Sequence, residues 1–573
     1  MRRAQVPSRQ DPFTLRTERL GPLPLVNHFL ARLDLEALLD KHVPTQDRRV
    51  GCPYARALGV LLRSILVERE PIYRQQETVR AFAPVMYGLD AETANRLGDD
   101  PIGRALDRLF DADRAALLTE VVLAVGKRFG VRFEELHNDS TSIRFCGQYR
   151  AATGRRLRGR KAPSITYGYS KDHRPDLKQL LLCLTTSADG GVPVQFRCAD
   201  GNTNDSATHI ETWEALRAVA GKSDFLYVAD SKLCTRENMD HLDHRGGRFV
   251  TVLPRSRLED AEFRKWVQSH EPGWEKVWDR PNRRRRGGPR DRWYVCRAPL
   301  PSREAWPVTW VWSPLLALRH EQGRRERLAA AMQELGDLQT RLGNPKARLK
   351  KAAEVDRKVE KILAGHHVVR YLKVRRKVHE EHRFRQMRSG RPGPDTPYRR
   401  LTRRRWDLDW APDEAAIAYD RNTDGMYPLL TNDKSLTPAQ VLEAHKGQPT
   451  IEKRFEQTKT VHEIAPVFLK NEGRIEALFT LYFLALLVQA LIERELRAAM
   501  RKRRIAELPL YPEERQCRRP TTEQILRLFS HAQRHVLLRD GRIVQVFAPE
   551  ITDLQGQVLE LLGVPARAFR PAP

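Results

Sequence analysis

The apolar run Phe225, Leu226, Tyr227, Val228, Ala229 stops abruptly at Asp230. Its aromatic and β-branched content predicts a buried strand, which puts a carboxylate at a strand's carboxyl end, where ligands and metals collect in open α/β sheets. A second segment, Val131 to Asp139, ends the same way, and two strand-end aspartates point to one shared metal site. Either one taken singly could equally serve as a helix N-cap or turn residue. A third carboxylate comes from the helix predicted over Ile451 to Lys459. There Glu452 and Lys459 are about 700° apart, about 20° short of two full turns, while Glu456 lies about 40° off the same line. Ile451 and Phe455 flank that stripe and could pack the helix on a sheet. Carboxylates are hard ligands suited to Mg²⁺ or Mn²⁺. Two such ions about 4 Å apart can activate one oxygen and stabilise the leaving one in a displacement at phosphorus. Lys459, about 10 Å along the helix from Glu452, could hold a neighbouring phosphate as a point charge.

The elements that must position these groups follow from periodicity. Residues 1–20 are polar and read as a disordered lead-in. Residues 21–130 carry apolar side chains at three-and-four spacing and predict an all-helical N-terminal domain, with Arg49, Arg56, Arg63, Arg69 and Arg74 available for phosphates. Residues 131–254 change period: several strands, a helix, the Phe225 strand, a helix and a last strand at Arg248 to Leu253 predict a mixed sheet with helices on its faces. A basic loop with Arg155, Arg156 and Arg160 interrupts the strands and could lie along a phosphate backbone.

Residues 255–410 differ in kind. Tryptophans interleave with Arg283 to Arg286, and a β-rich piece precedes a helical hairpin whose arms, Gln322 to Leu342 and Lys346 to Ala364, meet at Gly343-Asn344-Pro345. Aromatics beside arginines could stack on unpaired bases, but filling a small core is the commoner task of tryptophans and the reading preferred. Residues 411–495 return to regular structure and hold the Glu452 helix. Residues 496–573 are basic, then helical, and suggest no specific role.

The chain of 573 residues carries a formal charge of +28, from 101 Lys plus Arg against 73 Asp plus Glu, so a polyanionic partner is expected, and nucleic acid before a membrane surface. The run Leu478 to Ile492 is short for a bilayer span and carries Gln489, so no membrane span is expected. Seven cysteines without a Cys-x-x-Cys pair argue for a reducing compartment and against structural zinc.

Five stretches carry a family resemblance: His137-Asn-Asp139-Ser-Thr-Ser, Gly201-Asn-Thr-Asn-Asp205, Val228-Ala-Asp230-Ser-Lys, Tyr419 to Gly425 with Leu429-Leu-Thr431-Asn-Asp, and Ile451-Glu452 followed by Lys459. In order and spacing, over roughly residues 21–500, the chain resembles DDE transposases of bacterial insertion sequences. The resemblance implies an α/β, RNase H-like mixed-sheet catalytic core, interrupted by an insertion before the glutamate and preceded by the helical domain. It implies Asp139, Asp230 and Glu452 as a catalytic triad binding two Mg²⁺ (or Mn²⁺) ions, the spacing to Lys459 selecting Glu452 over Glu456. The superfamily's tyrosine, arginine, glutamate, lysine signature falls on His445, Gln448, Glu452 and Lys459, so the first two positions depart from it; with Lys459 they would clamp DNA. The implied activity is cleavage at the element's ends and attack of the freed 3′-hydroxyl on target DNA. The implied partners are terminal inverted repeats and target DNA, bound by a homodimer in the bacterial cytoplasm at the nucleoid. A nuclease that only hydrolyses DNA, or a decayed DNA-binding relative, are the alternatives.

Overall fold

The computed structural model describes residues 13–46, 50–281, 288–344, 349, 351–461 and 469–570. The chain divides into two compact units, residues 1–251 with 443–573, and residues 252–442. Arg49, Arg283 to Arg286, Pro345 and Lys346, named above, lie outside the described residues.

The first unit begins with a departure from expectation. Residues within the presumed lead-in form strand β1 (Phe13–Arg19), which pairs antiparallel with residues 533–539. Its partner lies at the other end of the chain, and the two are locked by a buried ion pair, Glu18 with Arg534 at 2.8 Å. Helices α1 (Leu23–Leu33), α2 (Tyr54–Val67), α3 (Asp99–Asp111) and α4 (Arg114–Phe129) follow. The Asp113 side chain accepts from the Ala116 N–H at the start of α4, and Gly130 takes the left-handed conformation that ends it. Arg63 is not available for phosphates. It is 5 % exposed, its Nε donating to Asn27 at 2.7 Å and its guanidinium pairing with Glu36 at 2.6 Å. A long arginine on the inner face of α2 can be buried because these partners satisfy it.

Five strands then build the sheet: β2 (Glu135–Phe145), β3 (Lys178–Ser187), β4 (Pro193–Ala199), β5 (Leu226–Ala229) and β6 (Arg248–Val252), with α5 (His209–Ala220) before β5 and α6 (Arg236–His244) after it. The order across the sheet is β4-β3-β2-β5-β6. The first three strands form an antiparallel meander, and β2, β5 and β6 run parallel. This is the mixed α/β sheet expected of an RNase H-like core.

The second unit holds an antiparallel sheet of β7 (Glu275–Arg280), β8 (Asp291–Arg297), β9 (Val308–Trp312) and a later strand, residues 426–431. Of the tryptophans in this part, Trp306 and Trp310 are buried, Trp310 at 1 % exposed and stacked on Phe263 with centroids 4.0 Å apart, while Trp266, Trp274, Trp278, Trp293 and Trp312 are half-buried. Helices α7 (Pro314–Gly343) and α8 (Ala352–Gly365) match the anticipated arms. Absent from the sequence reading is a long hairpin, β10 (Leu372–Gln386) with β11 (Tyr398–Pro412), paired over all 15 residues of each strand. Only its base, with Leu372, Trp406 and Leu408, joins the core of α7 and α8. β12 (Met426–Thr431) is the returning strand.

The chain re-enters the first unit through α9 (Pro438–Gly447), α10 (Pro449–Glu456) and α11 (Glu472–Lys502). Helix α11 is long and apolar enough to cross a membrane, but its apolar stretch is mostly buried. It is the core helix on which α1, α2 and α3 pack. The helices expected to stand as a separate N-terminal domain therefore share one hydrophobic core with it, with the sheet and with α12 (Asp553–Leu562), while β13 (Gln533–Arg539) and β14 (Arg542–Phe547) form a three-stranded sheet with β1.

Candidate active site

Strand β2 does not stop at Asp139. It continues to Phe145, paired with β3 from Leu136 opposite Ser187 to Phe145 opposite Lys178, so Asp139 sits inside a strand rather than at its end. The polar run Ser140-Thr-Ser142 hides this continuation, yet Ser140, Thr141 and Ser142 are buried in the ladder. Asp230, by contrast, directly follows the last residue of β5. Parallel register brings the two together: His137 of β2 pairs with Val228 of β5, and two residues further along each strand stand Asp139 and Asp230. Neighbouring strands are about 4.8 Å apart, so the carboxylates are adjacent.

A third aspartate and a lysine complete the cluster. Lys171 Nζ lies 2.8 Å from Asp205 Oδ2 and 3.9 Å from Asp139 Oδ1, and donates to the Ser140 carbonyl at 2.7 Å and Oγ at 2.8 Å. Two loops are drawn together by glycine contact. A Cβ on Gly168 would lie 1.9 Å from the Gly201 carbonyl oxygen, and one on Gly201 would lie 2.0 Å from that of Gln179. Lys171 follows the first glycine by three positions and Asp205 the second by four. The Gln179 side chain bridges the loops, donating to Gly201 O at 2.8 Å and Tyr169 O at 3.1 Å. Asp205 belongs to a stretch already singled out in the sequence. Lys171 carries no sequence signal.

Electrostatics follow from burial. Asp139 is pushed up to about 6, mainly by burial and further by the Asp230 and Asp205 charges, against the pull of Lys171 and the Ser140 N–H. Burial also raises Asp230, with Asp205 adding to it, although the Lys232 N–H and Lys171 oppose. For Lys171 burial pushes down, but its hydrogen bond to Asp205 and the three carboxylates outweigh that and hold its ammonium above the ordinary value. The site thus has a deficit of positive charge. A hard divalent cation would relieve it, and because Mg²⁺ keeps several waters, one or two carboxylates suffice to hold it. The aspartate pair fits such an ion. Among the described residues no group of three or more His, Cys, Asp or Glu is arranged to hold a metal.

Glu452 sits in the first turn of α10, exposed, while Ile451 and Phe455 of the same helix are buried in the core. The α-helix ends at Glu456, and residues 457–461 make a π-helical turn, so Glu452 and Lys459 do not share the α-helical stripe that spacing alone predicts. Lys459 Nζ pairs with Asp172 at 3.0 Å, and Asp172 also meets Arg144 at 3.3 Å. The neighbours Lys171 and Asp172 therefore tie the aspartate cluster to the segment that follows Glu452.

The remaining sequence-selected residues are placed variously. His445 is pushed down to about 4 by burial, with Lys446 and His137 adding. Two residues on, Gly447 passes so close to His137 that a Cβ would lie 2.5 Å from the ring. Gln448 is the residue before α10. Arg155 pairs with Glu472, itself 1 % exposed, at 2.7 Å. Arg160 donates to the Asp111 carbonyl at 2.7 Å, and Arg156 to Gly159 O at 3.1 Å. Two of these three arginines thus fasten their loop to α3 and α11.

A family model described as a transposase DDE domain matches residues 135–488, more than half the chain and the whole span from β2 into α11. The chain belongs to the DDE transposase family. Asp139, Asp230 and Glu452 all lie within the matched DDE domain. Residues 15–123 match a domain of unknown function, DUF4277. No curated protein matches. Among solved structures the chain is similar to a crystal structure of a pre-cleavage Mos1 transpososome, at 12 % identity and a TM-score of 0.14 over 32 % of this chain and 59 % of that one. It is also similar to a Mos1 transposase paired-end complex with left transposon end, at 13 % identity and a TM-score of 0.13 over 31 % of this chain and 57 % of that one. The chain thus spans less than two thirds of either. Superpositions that poor carry no structural argument.

Two outcomes follow for the metal-free DDE domain. Lys171→Met should lower its thermal stability by about 2–3 kcal/mol, because a buried carboxylate cluster loses its cation; melting with and without Mg²⁺ should show a larger metal-induced gain in the variant than in wild type. Asp139 has a folded value above its unfolded one, so the stability it contributes is complete below about pH 4 and is lost as pH rises through about 6. Chemical denaturation in chelator between pH 4 and 7 should show that decline.

Proposed function

We propose that the chain is a DNA transposase that cleaves at the ends of an insertion sequence and joins the freed 3′-hydroxyl to target DNA. The observation that carries this reading is the placement of Asp139 within β2 and Asp230 just beyond the end of the adjacent parallel strand β5, inside the DDE domain. The charge of +28 supports a DNA substrate.

Asp139 and Asp230 would hold Mg²⁺ or Mn²⁺, two ions in all, with Glu452 as the third carboxylate. Bound there, the metal supplies Lewis-acid activation of the attacking oxygen and charge stabilisation of the leaving one. The chain's own groups do the rest. Lys171 holds Asp205 against Ser140 of β2 and steadies the carboxylate side chains there. The π-turn after α10 aims Lys459 at Asp172, from which it can exchange onto a phosphate of the bound end. His445 and Gln448, where the signature has tyrosine and arginine, would leave end-phosphate binding to other cations, with Arg155, Arg156 and Arg160 along one edge. The reaction joins two ends, which suits a homodimer.

The test is Mg²⁺-dependent cleavage and strand transfer on DNA carrying the element's ends. Joining to target DNA supports the reading. Cleavage without joining would make the protein a hydrolytic nuclease, and binding without either would make it a decayed relative.

A further inference from the structure

The first unit contains a cavity of about 780 Å³ that the triad does not use. Its size lies within the roughly 300–1,000 Å³ of ligand sites and far exceeds what a single small anion needs. Its walls are the β3–β4 turn at Ala188 to Gly191, one face of α10, the last turns of α11, and the segment Arg519 to Glu523. On α10 the lining residues Thr450, Lys453 and Gln457 follow helical spacing. Lys453 is one residue, about 100°, round the helix from Glu452.

The cavity's charges separate into two sets. On the floor, cations are matched. Arg454 pairs with Glu493 at 3.1 Å, both nearly inaccessible, and donates to the Gly191 and Gly190 carbonyls at 2.9 and 3.0 Å. Arg494 pairs with Asp189 at 2.7 Å, and Arg497 shares Glu493 at 3.2 Å and donates to the Pro520 carbonyl. These bonds make the floor rigid and use up its carboxylates. At the mouth the balance is different. Lys453, Arg501 and Arg519 are exposed, and neither Lys453 nor Arg501 forms an ion pair among the described residues. Lys453 is held below its ordinary value, first by burial and then by the Arg519 and Arg497 charges. The lining holds eight Lys and Arg against four Asp and Glu; Asp189 and Glu493 are committed on the floor, Glu456 and Glu523 also face the cavity, and the remaining surplus of cations suits a polyanion.

We infer that this cavity is a second nucleic-acid site, taking the phosphodiester backbone of one DNA strand against Lys453, Arg501 and Arg519, on the face of α10 next to the one that carries Glu452. The inference rests on the reading of the chain as a DNA-processing transposase. It also gives the segment after α11 a task. Arg519 reaches the mouth because Arg497 grips the Pro520 carbonyl, so the region after residue 495 serves as one wall of the site.

The test is binding of a fluorescein-labelled duplex, without divalent ion, to the full chain across a range of salt, with Mg²⁺-dependent cleavage measured in parallel. The double variant Lys453→Ala with Arg519→Ala should bind roughly tenfold more weakly at ~0.1 M salt, and its log–log salt slope should fall by about 2. Arg501→Glu should weaken binding further, and Lys453→Arg, which keeps the charge, should leave the slope at its wild-type value. Circular dichroism melting of each variant separates misfolding from lost contacts, since none of the three side chains is in the core. Unchanged affinity and slope in the folded double variant overturn this site while leaving the transposase reading intact if wild type still cuts. A wild type that binds no duplex removes both. If AMP binds the wild type, loses affinity in the double variant and does not compete with duplex, the cavity is a nucleotide pocket and the DNA path is overturned.

Discussion

Asp230→Asn should abolish Mg²⁺-dependent DNA cleavage while raising, or at least preserving, the melting temperature of the metal-free protein. The loss follows from the site's chemistry: an amide oxygen is a neutral, weaker ligand, and losing several kcal/mol of charge stabilisation at the reacting phosphate corresponds to a fall of ~10³-fold or more. The gain in stability follows from the carboxylate's environment. Burial and Asp205 already disfavour the Asp230 anion, so a neutral side chain of the same shape removes a cost of folding. The Asn oxygen can keep the 2.9 Å bond that Asp230 Oδ1 accepts from the Lys232 N–H. Affinity for duplex DNA in chelator should not fall. Cleavage gels, thermal melts and binding titrations on one preparation check all three together. Equal cleavage by wild type and variant would make Asp230 a turn residue and remove the DDE reading of this site.

The strand Leu226–Ala229 is legible because both its faces are buried, which with Phe225 leaves an uninterrupted apolar run with a sharp end. Asp139 was legible as a carboxylate of interest but not as a mid-strand residue, since Ser140, Thr141 and Ser142 bury small polar groups that periodicity counts as loop. The β10–β11 hairpin alternates only at its base, where Trp406, Leu408 and Trp410 flank Asp407 and Asp409; beyond that it buries little and charges on both faces hide the period over most of its length. The pairing of β1 with β13 joins the two ends of the chain, and no local pattern encodes a partner that remote. The helix carrying Glu452 shows its packing face in Ile451 and Phe455, but its last turn leaves no mark in the sequence, because a π-turn adds no residue type that spacing would flag. Lys171 was invisible for a simpler reason. A single lysine in a polar loop becomes meaningful only once Asp139 and Asp205 are seen on either side of it.

That cluster depends on backbone contact, which makes Gly201→Ala, with Gly168→Ala, among the most damaging single methyls the fold can receive near the site. The added Cβ would lie 2.0 Å from Gln179 O and 2.7 Å from Thr166 O, both main-chain atoms that cannot swing away as a side chain would. Separating the strands enough to admit it breaks the Gly201 N–H bond to Ser164 O at 3.0 Å and the Gln179 side-chain bonds, and so parts Lys171 from Asp205. Overpacking alone costs about 1–3 kcal/mol, and the lost hydrogen bonds take the total above about 3 kcal/mol. Gly336→Ala is the contrast: it stands inside α7 with nothing within 4 Å of its Cβ, and there alanine should stabilise by roughly 0.5–1 kcal/mol. Urea unfolding of both variants reads the difference. A Gly201→Ala protein as stable as wild type would mean that the two loops are held apart in solution, and that Lys171 does not meet Asp205 at all.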